Sequence, residues 1–325
     1  MGEIRIGLVG LGTHGLRYAR HLAAGEVGGA TLAAVCRRDR ARGESVARDL
    51  GTEFTEDYRR ILSDPSIDAV VFAVPCDLHA TLVPEALQAG KALLVEKPLA
   101  PDAAAAAKIL RAAGAASRIA MVAQTLRYNS VVRTIRERRQ ALGTFRFVAL
   151  SQRFEPSGRV WLDEPAAGGI LRNTGVHSFD LIRHLTGLEV EKVNCSARRI
   201  VTRKTEDSFC AVLELSGGVL AAVDNSRATA SRSGRIDLVG EAGQLCGDHA
   251  HHRLVEIRGT EWRNLELPPP VPTVRECLSD FVRAVRGECP VPIPLLEGLR
   301  AVEIVDACRA SAETGLPRVV SKGVF

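Results

Sequence analysis

Gly10-Leu11-Gly12-Thr13-His14-Gly15 stands between an apolar run, residues 4–9 (IRIGLV), and a helical pattern over 14–24. A G-x-G-x-x-G that ends one strand and opens one helix, inside a strand–helix–strand unit, narrows the available folds more than any other feature of this chain. Glycine lets the backbone turn tightly and approach a pyrophosphate, and the following helix offers free N–H groups and the positive end of its dipole to phosphate oxygens. A glycine-rich turn without a ligand needs no such order of elements. Gly10, Gly12, Thr13, His14 and Gly15 are therefore candidate dinucleotide contacts.

Further apolar runs at 31–36, 69–74, 92–95 and 119–123 alternate with helical patterns at 40–50, 57–63, 78–89 and 102–116. Short strands of nearly continuous hydrophobicity, separated by crossover helices, imply a parallel sheet covered on both faces. These runs predict an α/β dinucleotide-binding domain over residues 1–125. After residue 143 strand-like stretches follow one another directly, at 144–154, 190–201, 207–215, 219–227 and 235–239, with turn signals at 216–218 and 241–243. That rhythm predicts a second domain of different class, over 126–325, with a mostly antiparallel sheet. Helical patterns at 274–286 and 296–313 close the chain around a proline-stiffened connector, 288–294, the C-terminal helix being able to pack back on the first domain. A length of 325 residues suits two domains.

The net charge of +5 comes from 43 basic residues interspersed with 38 acidic ones. Arginine clusters at 133–139 and 198–204 lack interleaved aromatics and read as a solvated helix face and strand ends, so a nucleic-acid partner is not expected. No apolar run reaches the ~18–20 residues of a spanning helix, and the N-terminus shows no leader pattern, so no membrane partner is expected either. Eight scattered cysteines without a Cys-x-x-Cys pair suit reduced thiols in the cytoplasm. Asp248-His249-Ala250-His251-His252 is the one metal-like cluster; on a hairpin remote from the cofactor residues, it reads as solvent-exposed turn histidines, and no metal is expected.

The second strand ends in Val35-Cys36-Arg37-Arg38-Asp39. An NAD-selective site places a carboxylate near position 37 for the ribose 2′-OH; Arg37 and Arg38 suit a 2′-phosphate instead, and Asp39 reads as the cap of the next helix. NADP is the expected cofactor, with NAD as the other candidate. Strand five ends in Val95-Glu96-Lys97-Pro98, and ligands of open α/β sheets bind beyond the carboxyl ends of the strands, which places Glu96 and Lys97 at the mouth. Residues 168–180, GGILRNTGVHSFD, bring His177 and Asp180 to the start of an apolar helical pattern.

Through GLGTHG (10–15), AVPCDLHATLVPEALQAGKALLVEKPLA (73–100), QTLRYN (124–129) and GGILRNTGVHSFDLIRHLTG (168–187), the chain resembles the glucose–fructose oxidoreductase / inositol dehydrogenase (Gfo/Idh/MocA) family. The resemblance implies an NAD(P)-dependent oxidoreductase of sugars, cyclitols or related compounds, with an N-terminal Rossmann domain followed by an α/β domain whose large, mostly antiparallel open sheet joins subunits into a homodimer or homotetramer. It implies that Lys97 touches nicotinamide ribose and substrate, and that His177 faces substrate as an acid/base group. Pro75 and His79 match the segment lining the cofactor, Gln124 and Arg127 the segment near nicotinamide and substrate. The resemblance also suggests a cis Lys97–Pro98 bond. One position departs: Asn173 stands where the family pattern commonly has aspartate, and asparagine cannot transfer a proton at neutral pH. Asp180 does not replace it, reading as a residue that caps or orients the helix entry.

The expected reaction is reversible hydride transfer between nicotinamide C4 and a carbinol or carbonyl carbon. His177, with a reference pKa of about 6.5, moves the hydroxyl proton. Lys97 polarises the carbonyl oxygen or relays the proton, and Asn173 holds a substrate hydroxyl. Arg127 and Trp161 are candidate pocket walls, an interdomain ion pair and ordinary core being their alternatives. The rival reading is a non-catalytic NADP-binding sensor of the same fold, against which the retention of both Lys97 and His177 speaks.

Overall fold

The computed structural model describes residues 2–116, 118–156, 163–164 and 168–321. Helices and strands follow in the order β1 (Ile4–Val9), α1 (Thr13–Ala23), β2 (Ala30–Cys36), α2 (Arg40–Leu50), β3 (Glu53–Thr55), α3 (Tyr58–Ser63), β4 (Ala69–Phe72), α4 (His79–Gln88), β5 (Ala92–Glu96), α5 (Ala103–Ala116) and β6 (Ala120–Ala123). Then come α6 (Ser130–Arg138), β7 (Phe145–Arg153), α7 (Val176–Thr186), β8 (Val190–Arg198), β9 (Ser208–Leu215), β10 (Leu220–Ser226), β11 (Ser233–Gly240), β12 (Gly243–Asp248), β13 (Arg253–Arg258), β14 (Glu261–Asn264), α8 (Thr273–Val285), α9 (Leu295–Thr314) and β15 (Arg318–Val319).

One compact unit gathers Met1–Thr125 with Pro272–Leu299. Its sheet has the order β3-β2-β1-β4-β5-β6, and every neighbouring pair is parallel. Val70, Val71, Phe72, Leu93, Leu94 and Val95 are wholly buried, as strands covered on both faces must be. Strand order reverses between β1 and β4, which makes the carboxyl ends of these two strands the switch point of the sheet. The connector at 288–294 does more than space two helices. It runs beside β6, with Val122 N–H donating to Ile293 O at 3.0 Å and an antiparallel bridge between Met121 and Pro294. A proline that donates no hydrogen bond is accommodated at such an edge.

The other unit comprises Leu126–Val271 with Arg300–Val324. Nine strands lie in the order β14-β13-β12-β11-β7-β10-β9-β8-β15. Seven of the eight neighbouring pairs are antiparallel, and β7 with β10 is parallel. The mostly antiparallel sheet is thus found, with β12–β14 as three short strands that apolar patterning alone does not separate. One face packs Val148, Leu150, Leu213, Val223, Ile236 and Leu238 against Ile135, Phe179, Ile182 and Ile304 in a continuous core. On the other face Phe147, Leu220 and Val212 are exposed, with Phe147 paired directly across from Leu220. The arginine cluster after residue 132 is the outer face of α6, whose Val131, Val132 and Ile135 are buried. Trp161 lies outside the described residues.

Candidate active site

At the end of β1, Gly10 adopts φ +103°, and a Cβ there would stand 2.4 Å from the Ala73 carbonyl oxygen. A Cβ on Gly15 would lie 1.8 Å from Gly10 O, so only glycine lets α1 start this close to the strand it leaves. Gly12 is the N-cap of α1 and supplies no side-chain cap, and the place where its Cβ would stand is open. Thr13 and His14 are exposed beside it. A helix start with uncapped N–H groups, reached by a backbone without side chains, fits a pyrophosphate.

Arg37 reaches back to this turn, its Nη1 donating to Leu11 O at 2.9 Å, while Arg38 is exposed. Asp39 caps α2 through Oδ1, which accepts the Arg42 N–H at 3.2 Å. The acidic side chain nearest this strand end is therefore occupied.

Glu96, at the end of β5, is buried and held from two sides. Its Oε1 accepts the Tyr18 hydroxyl at 2.9 Å, and its Oε2 accepts the Lys97 backbone N–H at 3.0 Å. His14 Nδ1 lies 3.8 Å from Oε1. Burial, reinforced by Glu96, keeps the Tyr18 phenol well above its usual range, so it stays a neutral donor. Sequence reasoning missed Tyr18; its one signal is a tyrosine on the inward face of α1, where a hydroxyl must find a partner.

His79 is wholly buried, and its Nδ1 stands 3.0 Å from Leu99 O. A carbonyl only accepts, so Nδ1 carries the proton; burial lowers the pKa and keeps the ring neutral. His79 thereby ties the start of α4 to the turn after Lys97, whose bond to Pro98 is cis. Lys97 itself is half-buried, Pro75 is exposed in the turn after β4, and Gln124 is buried at the end of β6.

In the second unit Gly168 and Gly169 take φ of +74° and +60°. A wide π-type turn, Leu171–Gly175, leads directly into α7. From 168 to 183 every residue is buried except Asn173 and His177. Four residues apart, they share one helical face. Asn173 Nδ2 donates to Gly169 O at 2.9 Å.

Asp180 does not cap the helix, and it is buried. Its carboxylate takes two hydrogen bonds from Arg127, Nε to Oδ2 at 2.9 Å and Nη2 to Oδ1 at 2.5 Å. Both partners belong to the second unit, so this ion pair is internal to that unit rather than interdomain. Of the hairpin histidines, His249 differs from expectation. His249 packs its ring against Gly234, where a Cβ would meet Nε2 at 2.1 Å, and burial lowers its pKa. His251 is exposed and bonds Asp248 Oδ2 at 2.9 Å. Among the described residues no group of three or more His, Cys, Asp or Glu is placed to hold a metal ion, and no helix is long and apolar enough to cross a membrane.

Residues 4–124 match a family model described as an oxidoreductase family with an NAD-binding Rossmann fold, and residues 132–246 match the Gfo/Idh/MocA C-terminal domain. The chain belongs to the Gfo/Idh/MocA oxidoreductase family. Among relatives, scyllo-inositol 2-dehydrogenase (NAD(+)) of Bacillus subtilis (strain 168) is 26% identical over 97% of this chain and 96% of its own. Inositol 2-dehydrogenase 1 of Saccharopolyspora erythraea is 29% identical over 97% and 95%. Of solved structures, a levoglucosan dehydrogenase in complex with NADH shares the fold, with a TM-score of 0.90, 20% identity and coverage of 99% and 100%. Within the Gfo/Idh/MocA family, glycine turn and E-K-P segment fall in the first matched region, and Asn173 and His177 in the second.

Proposed function

We propose that this chain is a dehydrogenase or reductase that moves a hydride between NADP and a carbinol or carbonyl carbon of a sugar, cyclitol or related polyol. The observation that carries the reading is the pair Asn173 and His177, the two accessible positions in an otherwise buried stretch from 168 to 183. Polar groups in register on one helical face, backed by a closed core, suit a hydroxylated ligand better than a packing role. The relatives named for inositols and levoglucosan support the polyol class.

The bound cofactor supplies or accepts the hydride at nicotinamide C4. His177 takes the hydroxyl proton during oxidation and returns it during reduction. Lys97 polarises the reacting oxygen; its backbone is fixed by Glu96 and its turn by His79. Asn173 orients a neighbouring hydroxyl, as a hydrogen-bonding group without acid–base capacity. Gly10, Gly12, Thr13, His14, Gly15, Pro75, Glu96 and Gln124 line the dinucleotide, and Arg127 supports the substrate side from its pair with Asp180. Arg37 and Arg38 select NADP, with Asp39 committed to capping α2. The exposed apolar face around Phe147, Val212 and Leu220 joins subunits into a homodimer or homotetramer.

Initial rates with NADP(H) and NAD(H) against sugars, inositols, anhydrosugars and sugar nucleotides test the reading. Turnover of a neutral polyol, faster with NADP, is the expected result. Tight NADP binding without turnover of any member of the panel rejects it in favour of a non-catalytic sensor.

A further inference from the structure

We propose that Glu206, on the loop between β8 and β9, is a positioning residue for Asn173 and His177, bracing the turn from which their helix starts. The inference rests on the reading of that pair as substrate-facing. A helix start leaves N–H groups that need partners, and neither the π-type turn nor α7 has a side-chain cap of its own. Glu206 provides one from the loop between β8 and β9. Its carbonyl oxygen accepts the Ile170 N–H at 2.9 Å, and its Oε1 accepts the Leu171 N–H at 3.1 Å.

The fit leaves no slack. A Cβ on Gly169 would lie 2.2 Å from the Glu206 carboxyl carbon, and one on Gly168 would lie 2.4 Å from the Arg172 guanidinium. Both glycines have positive φ, so the glycine pair makes room for two charged side chains as well as for a turn. Gly169 O is also the acceptor of the Asn173 amide, so displacing Gly169 displaces Asn173 directly.

The brace is itself held. The adjacent Asp207 accepts the N–H groups of Ile200, Val201 and Thr202 at 2.9, 2.7 and 2.8 Å. Its carbonyl accepts the Arg227 N–H at 2.8 Å, and Arg227 Nη2 reaches Thr174 Oγ1 at 3.4 Å. The Glu206 carboxyl is largely out of water, and burial raises its pKa; a solvated surface carboxylate would not show this.

The test compares Glu206→Ala and Glu206→Gln in the full chain. Glutamine keeps an oxygen acceptor for the Leu171 N–H; alanine removes it. The first readout is the His177 Cε1–H resonance titrated by NMR, assigned by its loss in His177→Ala. The second is the separation of kcat from KM, with dinucleotide Kd measured by fluorescence. Glu206→Ala is expected to move the His177 titration and lower kcat by ~10-fold or more, a displacement of about an ångström being enough for that. Dinucleotide Kd should stay within about twofold, since Leu171 and Asn173 lie outside the dinucleotide-binding fold. Glu206→Gln should restore both signals. An unmoved His177 titration in Glu206→Ala, or a glutamine variant as impaired as the alanine one, overturns the inference. Where the alanine variant does not fold, Glu206→Asp, too short to reach the Leu171 N–H, takes its place, and behaviour like the unmodified protein overturns the inference. Absence of polyol turnover in the unmodified protein refutes the proposed function, while the His177 resonance still decides the role of Glu206.

Discussion

Arg127 and Asp180 form a two-point ion pair, 9% and 1% exposed, that anchors the helix carrying both Asp180 and His177. Asp180 lies three residues beyond His177, so the pair fixes the roll of α7 one turn from that histidine. Two charges removed from water are tolerated because planar guanidinium and carboxylate satisfy each other in parallel.

Breaking that pair from one side strands a buried charge. Arg127→Ala should therefore cost about 3–5 kcal/mol in unfolding free energy, and Arg127→Met with Asp180→Leu together should cost less than the single change. Urea unfolding of the three proteins measures this. A loss below about 1 kcal/mol for Arg127→Ala, the scale of a solvated surface pair, would contradict the buried geometry.

Cofactor choice is the next expectation. Arg38 is exposed at the end of β2, and Arg37 is half-buried against the glycine turn; Asp39, 3.9 Å from Arg37 Nη2, is held by capping α2 and by Arg42. The unmodified protein should bind NADP(H) more tightly than NAD(H). Arg37→Ala/Arg38→Ala should erode that difference by about 1–3 kcal/mol, the worth of charge-assisted hydrogen bonds. Fluorescence titration with both cofactors checks it, and equal or tighter NAD binding by the unmodified protein refutes the assignment.

His184 links stability to pH. Burial, followed by the positive charges of Arg127, Arg136 and Arg139, pushes its pKa down to about 2, against about 6.5 in an unfolded chain. The fold therefore holds His184 neutral where the unfolded chain is protonated. Its contribution to stability is present above about pH 6.5 and is lost as pH falls below that value. Between pH 7.5 and 5.5 the loss should be about 1.4 kcal/mol. His184→Asn, which keeps an acceptor for Arg136, removes this component. Urea unfolding at the two pH values, compared between the proteins, gives the difference; equal pH dependence would show that His184 titrates normally in the fold.

How much of this was legible follows from the range of each interaction. The parallel sheet shows in the sequence because β4 and β5 are uninterrupted apolar runs, buried on both faces. β3 does not show, because three residues at a sheet edge carry no period. Lys97, Asn173 and His177 are found through contiguous motifs. Their supports come from far along the chain: Tyr18 lies 78 residues from Glu96 and Glu206 lies 35 from Leu171, separations at which spacing says nothing. Asp180 resembles a cap by its place near a helix start, and only the fold reveals Arg127 as its partner, 53 residues away. His249 resembles an exposed turn residue because four of the five residues of its cluster are polar, yet Gly234 opens a slot for its ring.

The division of labour between Asn173 and His177 gives the most discriminating expectation. The two share one face of the buried helix, but only an imidazole exchanges protons near neutrality. His177→Ala should lower turnover by ~10²–10⁴-fold, the usual worth of a positioned acid or base. Dinucleotide affinity should be nearly unchanged, because pyrophosphate binding belongs to the glycine turn. Asn173→Ala should chiefly raise KM with a smaller loss of kcat, a neutral hydrogen bond being worth about 0.5–1.5 kcal/mol. Its second effect is local, since the Asn173 amide also donates to Gly169 O; Asn173→Asp loses that donor and adds a negative charge one turn from His177. A carboxylate there favours the protonated imidazole, so the acid limb of the kcat/KM profile should move to higher pH. Profiles of kcat/KM against pH for the four proteins, on the polyol that the substrate panel identifies, separate the roles. Should Asn173→Ala cost as much turnover as His177→Ala, position 173 takes part in the chemistry. A nearly active His177→Ala would return this histidine to a packing role, with Lys97 left to move the proton.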